Sequence, residues 1–166
     1  MEKVKFKQIQ ALKTKAYKAF ADHSRLDVPV VDTAQIDSIS LAFVGDAYYA
    51  LYFRSQLIQL GVPQITVLHG LASEIVSAKI QAQVYRRLKD SLTQVEQQVC
   101  QRARNAHSMA PKSATVAEYH DSTALEALIG YTVLSKDDKR LAELMALVDT
   151  YSREICRTLH VHKEQS

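Results

Sequence analysis

Two acids stand out because almost nothing around them is charged. Asp46 lies in LAFVGDAYYALYF, residues 41–53, directly after Gly45, and Glu126 lies in STALEALIGY, residues 122–131. A carboxylate on an apolar helix has to be ion-paired, hydrogen-bonded or coordinated to a metal. Each acid also has a structural explanation. Asp46 could pair with an arginine. Thr123 and Glu126 have the spacing of a capping box, so Glu126 could simply close the start of its own helix. Gly45 adds a clue of another kind: inside a helix it costs about 1 kcal/mol relative to Ala, and a glycine kept there marks the close approach of another backbone.

Taken together, FVGDA (43–47) and EALIG (126–130) resemble the two acidic signatures of the ribonuclease III family, in the same order and at a similar separation. VSAKIQAQV (76–84) and RARNAHS (102–108) resemble its short form, Mini-ribonuclease III, and the likeness covers about residues 36–135. The resemblance implies an all-α, dimeric endonuclease that hydrolyses phosphodiesters of duplex RNA, leaving 5′-phosphate and 3′-hydroxyl ends. It implies Asp46 and Glu126 as catalytic metal ligands, Mg²⁺ as the cofactor with Mn²⁺ as a substitute, and a large-subunit ribosomal RNA precursor as the first substrate to consider. A ribosomal protein or particle is a further implied partner. Short-form members lack the separate double-stranded-RNA-binding domain, and the sequence after residue 135 leaves no room for one. Longer members carry a second acid four residues before the aspartate and another three before the glutamate, one helical turn away on the same face. Here those positions are Ala42 and Thr123. Two carboxylates still suffice in principle, because Mg²⁺ keeps several waters and often takes only one or two, with phosphate oxygens completing its shell. The missing acids keep an alternative open: a catalytically silent relative that binds RNA or a ribosomal particle.

The expected RNA-binding residues are Arg102, Arg104, Asn105 and Lys112, around a helix end and the loop that follows it, and Lys79 in the SAK segment. Duplex RNA is recognised by shape, through phosphates and 2′-hydroxyls. The plain alternative is a solvated charged face, and Lys79 is equally an ordinary surface lysine. Arg54, Arg86 and Arg87 are weaker candidates. His120-Asp121 is a dipeptide found in helical metal-dependent phosphohydrolases, but those need more His and Asp ligands, and His23, His69 and His107 show no distinctive spacing. Asp121 reads better as a residue just before a helix, near its positive end. His160 and His162 look incidental.

The elements that must position these residues read as helices. Residues 1–31 form an extension in which Phe6, Ile9, Leu12, Ala16 and Phe20 recur at helical spacing among six lysines, with a linker from Asp22 to Val31. It is either a solvated outer helix or an arm for RNA or a partner. Residues 32–160 form the catalytic domain. Asp32 with Gln35 predicts the cap of a helix running to about Leu60, stopped by Gly61 and Pro63. Between Ile36 and Ile58 this helix is apolar on nearly every side, which predicts burial in a core or an oligomer interface. Further helices are predicted over about Ile65–Leu88, from the Thr93–Glu96 capping box to about Asn105, over Thr123–Leu134, and from a Ser135–Asp138 cap to about Leu159. Residues 106–116 read as a loop and the final VHKEQS as a frayed tail.

Composition sets the outer bounds. A chain of 166 residues, 47% hydrophobic, can bury one real core. With 4 Gly and 3 Pro it has too few turn formers for an all-β fold. Its net charge of +3, from 21 basic and 18 acidic residues, permits a phosphate-bearing partner without demanding one. Cys100 and Cys156 lack a CxxC arrangement and predict buried free thiols in a reducing cytoplasm. No apolar run approaches the ~18 residues needed to span a membrane, and MEKVKFKQ has no apolar signal core. The expectation is a cytoplasmic protein with no membrane partner, built as a single all-α ribonuclease III-like domain with an N-terminal helical extension.

Overall fold

The computed structural model describes residues 2–106 and 112–164, with side chains from residue 5 to residue 159 outside that gap. Every regular element among the described residues is helical. The chain divides into two compact units, Met1–Val31 and Asp32–Ser166.

The first unit is a single helix, α1 (Glu2–Ala21), followed by an irregular segment. Its apolar stripe finds nothing within the unit to bury it: Phe6, Ile9, Leu12, Tyr17 and Phe20 are all more than half exposed. The helix closes at His23, which takes a left-handed φ of 50° while the Ser24 N–H bonds back to the Ala19 carbonyl at 2.8 Å.

The second unit contains α2 (Ser38–Ile58), α3 (Ile65–Ile75), α4 (Ala78–Leu88), α5 (Gln94–Asn105), α6 (Val116–Leu134) and α7 (Asp138–Glu164). Helix α6 is its axis and packs against α2, α4, α5 and α7. Between residues 121 and 132 only Glu126 and Tyr131 escape full burial. Around it lies a core that includes Tyr49, Phe53, Val84, Leu88, Leu125, Leu128, Leu144 and Val148. Cys100 is buried and Cys156 half-buried, both as free thiols.

Four helix boundaries differ from the sequence reading, each because a local cap acts at a different place. Asp32 caps only a 3₁₀ turn, Thr33–Gln35, and Asp37 caps α2 by accepting from the Ser40 N–H at 2.9 Å. The predicted Ile65–Leu88 helix is two, because the chain turns at Val76 and Ser77 starts α4. Helix α6 starts a full two turns early, at a capping box formed by Thr115 and Glu118. Ser135 ends α6 rather than opening the last helix; Asp137 takes that role, accepting from the Arg140 N–H at 3.0 Å, and α7 runs past Leu159 to Glu164. Residues 107–111 of the predicted loop, including His107 and Pro111, and the side chains of His160 and His162 lie outside the described residues.

Candidate active site

The two glycines of the sequence signatures meet at the crossing of α2 and α6. A Cβ on Gly45 would lie 1.7 Å from the Glu126 carbonyl oxygen, and one on Gly130 would lie 1.9 Å from that of Leu41. No side chain fits in either place, so the two backbones touch. That contact fixes the site, because Asp46 follows one glycine and the backbone of Glu126 lies against it.

Glu126 projects from the middle of α6, so it does not close its own helix start; the capping box lies upstream at Thr115 and Glu118. It is partly buried, and its carboxyl is pushed up to about 7, first by burial and then by the Asp46 carboxylate, while Gln81 draws it down. Asp46 is exposed in the single chain, which corrects the expectation of a buried acid. The reason is that α2 is covered on only one side. Leu41, Gly45, Tyr49 and Phe53 face the core, while Phe43, Leu51 and Ile58 on the other side are 64–81% exposed. Neither Asp46 nor Glu126 takes part in an ion pair among the described residues, so the arginine salt bridge proposed for Asp46 is not formed.

The positions that carry acids in longer family members hold small buried residues. Ala42 is 6% exposed, and Thr123 is 4% exposed with its hydroxyl bonded to the Tyr119 carbonyl at 2.9 Å. No group of three or more His, Cys, Asp and Glu side chains able to hold a metal occurs among the described residues. What the crossing offers is two carboxylates, one of them half-dry, that repel each other without a protein cation between them. Hard oxygen donors of this kind suit a divalent cation such as Mg²⁺.

The expected RNA-binding residues do not form one cluster. Arg102 and Arg104 leave α5 on different sides. The Arg102 guanidinium donates to the Ala34 carbonyl and, with Asn105, lines a groove that also includes Asp32, Gln35 and Gln98. Arg104 instead reaches α6, where its Nε pairs with Asp121 Oδ1 at 2.8 Å. Arg86 of α4 takes the other oxygen at 2.7 Å. Asp121, read from the sequence as a residue just before a helix, is inside α6 and 4% exposed. His120 hydrogen-bonds through Nδ1 to the Arg104 carbonyl, so it is occupied by a helix end rather than a metal. Lys79 is exposed in the first turn of α4, and Lys112 is exposed just before α6.

Sequence reasoning missed Gln81 and the part played by Arg86. A signal for Gln81 was present: it occupies a core position among Ile80, Val84, Tyr85 and Leu88, where a polar residue is out of place. A half-open apolar cavity of about 570 Å³ also exists, lined by Phe53, Leu57, Leu60 and Ile75 among others, and it contains neither Asp46 nor Glu126.

Comparison with known proteins agrees with this geometry. The Ribonuclease III domain model matches residues 39–137, a span that takes in both carboxylates and both crossing glycines. A Mini-ribonuclease 3 from Symbiobacterium thermophilum is 42% identical over 108 residues, 64% of this chain and 83% of that protein. One from Enterococcus faecalis is 40% identical over 118 residues, 69% of this chain and 89% of that protein. A crystal structure of a Fusobacterium nucleatum protein superposes with a TM-score of 0.66 at 31% identity, covering 71% of this chain and 98% of that one. The chain therefore belongs to the ribonuclease III family, on its Mini-ribonuclease 3 branch.

Proposed function

We propose that the protein is a divalent-metal-dependent endoribonuclease that cuts double-stranded RNA, with a large-subunit ribosomal RNA precursor as its substrate and 5′-phosphate ends as its products. The observation that carries this reading is the pair Asp46 and Glu126, brought together by a backbone contact and in no ion pair among the described residues. In this reading both acids hold Mg²⁺, with Mn²⁺ able to replace it. Bound there, the ion supplies Lewis-acid polarisation of the scissile phosphate and activation of water. Glu126 must give up its proton to serve as a ligand. Lys79, Arg102, Arg104, Asn105 and Lys112 bind the duplex through phosphates and 2′-hydroxyls, which positions the backbone without reading its sequence. Ala42 and Thr123 support the other reading, a silent fold that binds RNA or a ribosomal particle. Incubation with a generic RNA duplex in Mg²⁺ and in EDTA separates the two. Cleavage in Mg²⁺ alone supports the enzyme; binding without cleavage supports the silent fold.

The same reading makes the protein a homodimer. Phe43, Ala47, Leu51, Arg54 and Ile58 recur at helical spacing along the uncovered side of α2, and all are exposed. A second copy of this face is a self-complementary partner related by a two-fold axis. Light scattering should give twice the chain mass, and Leu51→Asp should give the chain mass. A wild-type monomer at micromolar concentration contradicts the dimer.

A further inference from the structure

Gln81 is the buried polar group that the two-carboxylate site does not explain. It lies on α4, is 1% exposed, and shares its helix face with Ile80, Val84, Tyr85 and Leu88. A helix face of this kind is normally apolar throughout. Its Nε2 has no partner in hydrogen-bonding geometry among the described residues. A buried N–H without an acceptor is costly, and native folds keep such groups when they serve a purpose. Its polar neighbour across the α4–α6 interface is Glu126, close enough for the amide to act on the carboxylate. The other neighbour felt by Glu126 is Asp46, which repels it.

We infer that Gln81 is a positioning residue for the metal site: its side-chain amide donates to one oxygen of Glu126 and so aims the other at a cation shared with Asp46. This rests on reading Asp46 and Glu126 as metal ligands. Glu126 is otherwise a flexible side chain with burial behind it and a like charge beside it. One fixed hydrogen bond from the buried face of α4 selects a single carboxylate orientation, which is how outer partners of metal ligands act. Gln81 touches neither the metal nor the RNA in this account. Its effect appears in metal affinity before it appears in chemistry.

The test uses Mn²⁺ as the probe on the full chain, read by calorimetry and by the Mn²⁺-dependent rise in melting temperature, beside cleavage of an RNA duplex. Gln81→Met keeps the length and removes the amide; Gln81→Leu is the second variant. Both should melt without metal close to the wild-type temperature, since the amide's bond to Glu126 is lost while an apolar group is buried in its place. Both should weaken Mn²⁺ binding about 10-fold, the lower end for loss of an outer partner, with cleavage recovering as Mn²⁺ is raised. On a Glu126→Gln background, Gln81→Met should cause no further loss of Mn²⁺ binding. Wild-type Mn²⁺ affinity in both variants overturns the role of Gln81. So does a large fall in metal-free melting temperature in both, which makes Gln81 a packing residue. If the wild-type chain itself takes up no Mn²⁺ and cuts no duplex, the metal site falls and this inference with it. If it does both while Gln81→Met matches it, only the inference falls.

Discussion

Asp121 and Glu126 lie five residues apart on the same helix, and the fold treats them in opposite ways. Asp121 is buried and receives a guanidinium on each oxygen, from Arg86 and Arg104. Glu96 on α5 is handled similarly. Burial works to raise its carboxyl, but Arg140, at 2.7 Å, and the Thr93 N–H outweigh that and hold it below its ordinary value. Glu126 is in no ion pair among the described residues, and the charge that acts on it is another carboxylate, Asp46. Arginines were available to this fold and were placed on the acids that tie helices together. The pair at the α2–α6 crossing receives none of them among the described residues. The contrast therefore separates acids that arginines tie into the fold from the two that the proposed function assigns to a metal ion.

The largest expected effect is on chemistry. Glu126→Gln should lower duplex cleavage by more than about 100-fold, beyond the range for groups that only support a ligand. Gel-shift affinity for the duplex should remain. Cleavage within a few-fold of wild type removes Glu126 from the site.

Stability sharpens the same contrast. Asp121→Asn should cost about 2 kcal/mol in a denaturant melt, less than the ~3–5 kcal/mol of a fully buried broken pair because both guanidiniums are half in water. Its catalytic loss should be small beside that of Glu126→Gln. An unchanged melt would put Asp121 in the same class as Glu126.

A pH series on metal-free protein tests the other side. Glu126 has a folded pKa near 7 against an ordinary value of 4.5, so between those values the folded state binds the proton more tightly than the unfolded chain. Stability contributed by this group is present at low pH and is lost as pH rises through that window, by up to about 3–4 kcal/mol at ~1.4 kcal/mol per unit. Glu126→Gln should abolish this particular loss. A wild-type curve that rises over the same window contradicts the assigned cause.

The smallest effect concerns Arg102, which bonds to the backbone of Ala34 rather than to an acid. Arg102→Ala should flatten the slope of log affinity against log salt by about 1 if it meets one phosphate. The melting temperature should hardly move. An unchanged slope makes Arg102 a surface charge only.

The sequence made some of this legible for a clear reason. Gly45 violates helix propensity, so a close backbone approach there could be read from the sequence, whereas its partner, the α6 backbone at Glu126 and Gly130, emerged only from the fold. The Thr93–Glu96 capping box and the end of α5 at Asn105 were also local and correct. Other features depended on partners far along the chain. That Asp121 lies within α6 follows from the Thr115–Glu118 cap, which competed with an equally plausible Thr123–Glu126 spacing. The apolar circumference of α2 and that of α6 read alike in sequence, yet α6 is enclosed by four helices and α2 leaves one face open. Which apolar helix becomes the axis is decided by packing, not by composition. Gln81 was overlooked because its meaning lies across a helix interface, opposite Glu126.

The most direct test of the central claim is a pair of Mg²⁺ titrations of melting temperature, on wild type and on Asp46→Asn. Without metal, Asp46→Asn should be as stable as wild type or more so, since it removes a like charge beside Glu126. Wild type should gain stability as Mg²⁺ is added, and Asp46→Asn should not respond and should not cleave duplex RNA. An Asp46→Asn protein that is strongly destabilised without metal, or that responds to Mg²⁺ and cuts RNA as wild type does, would contradict the account.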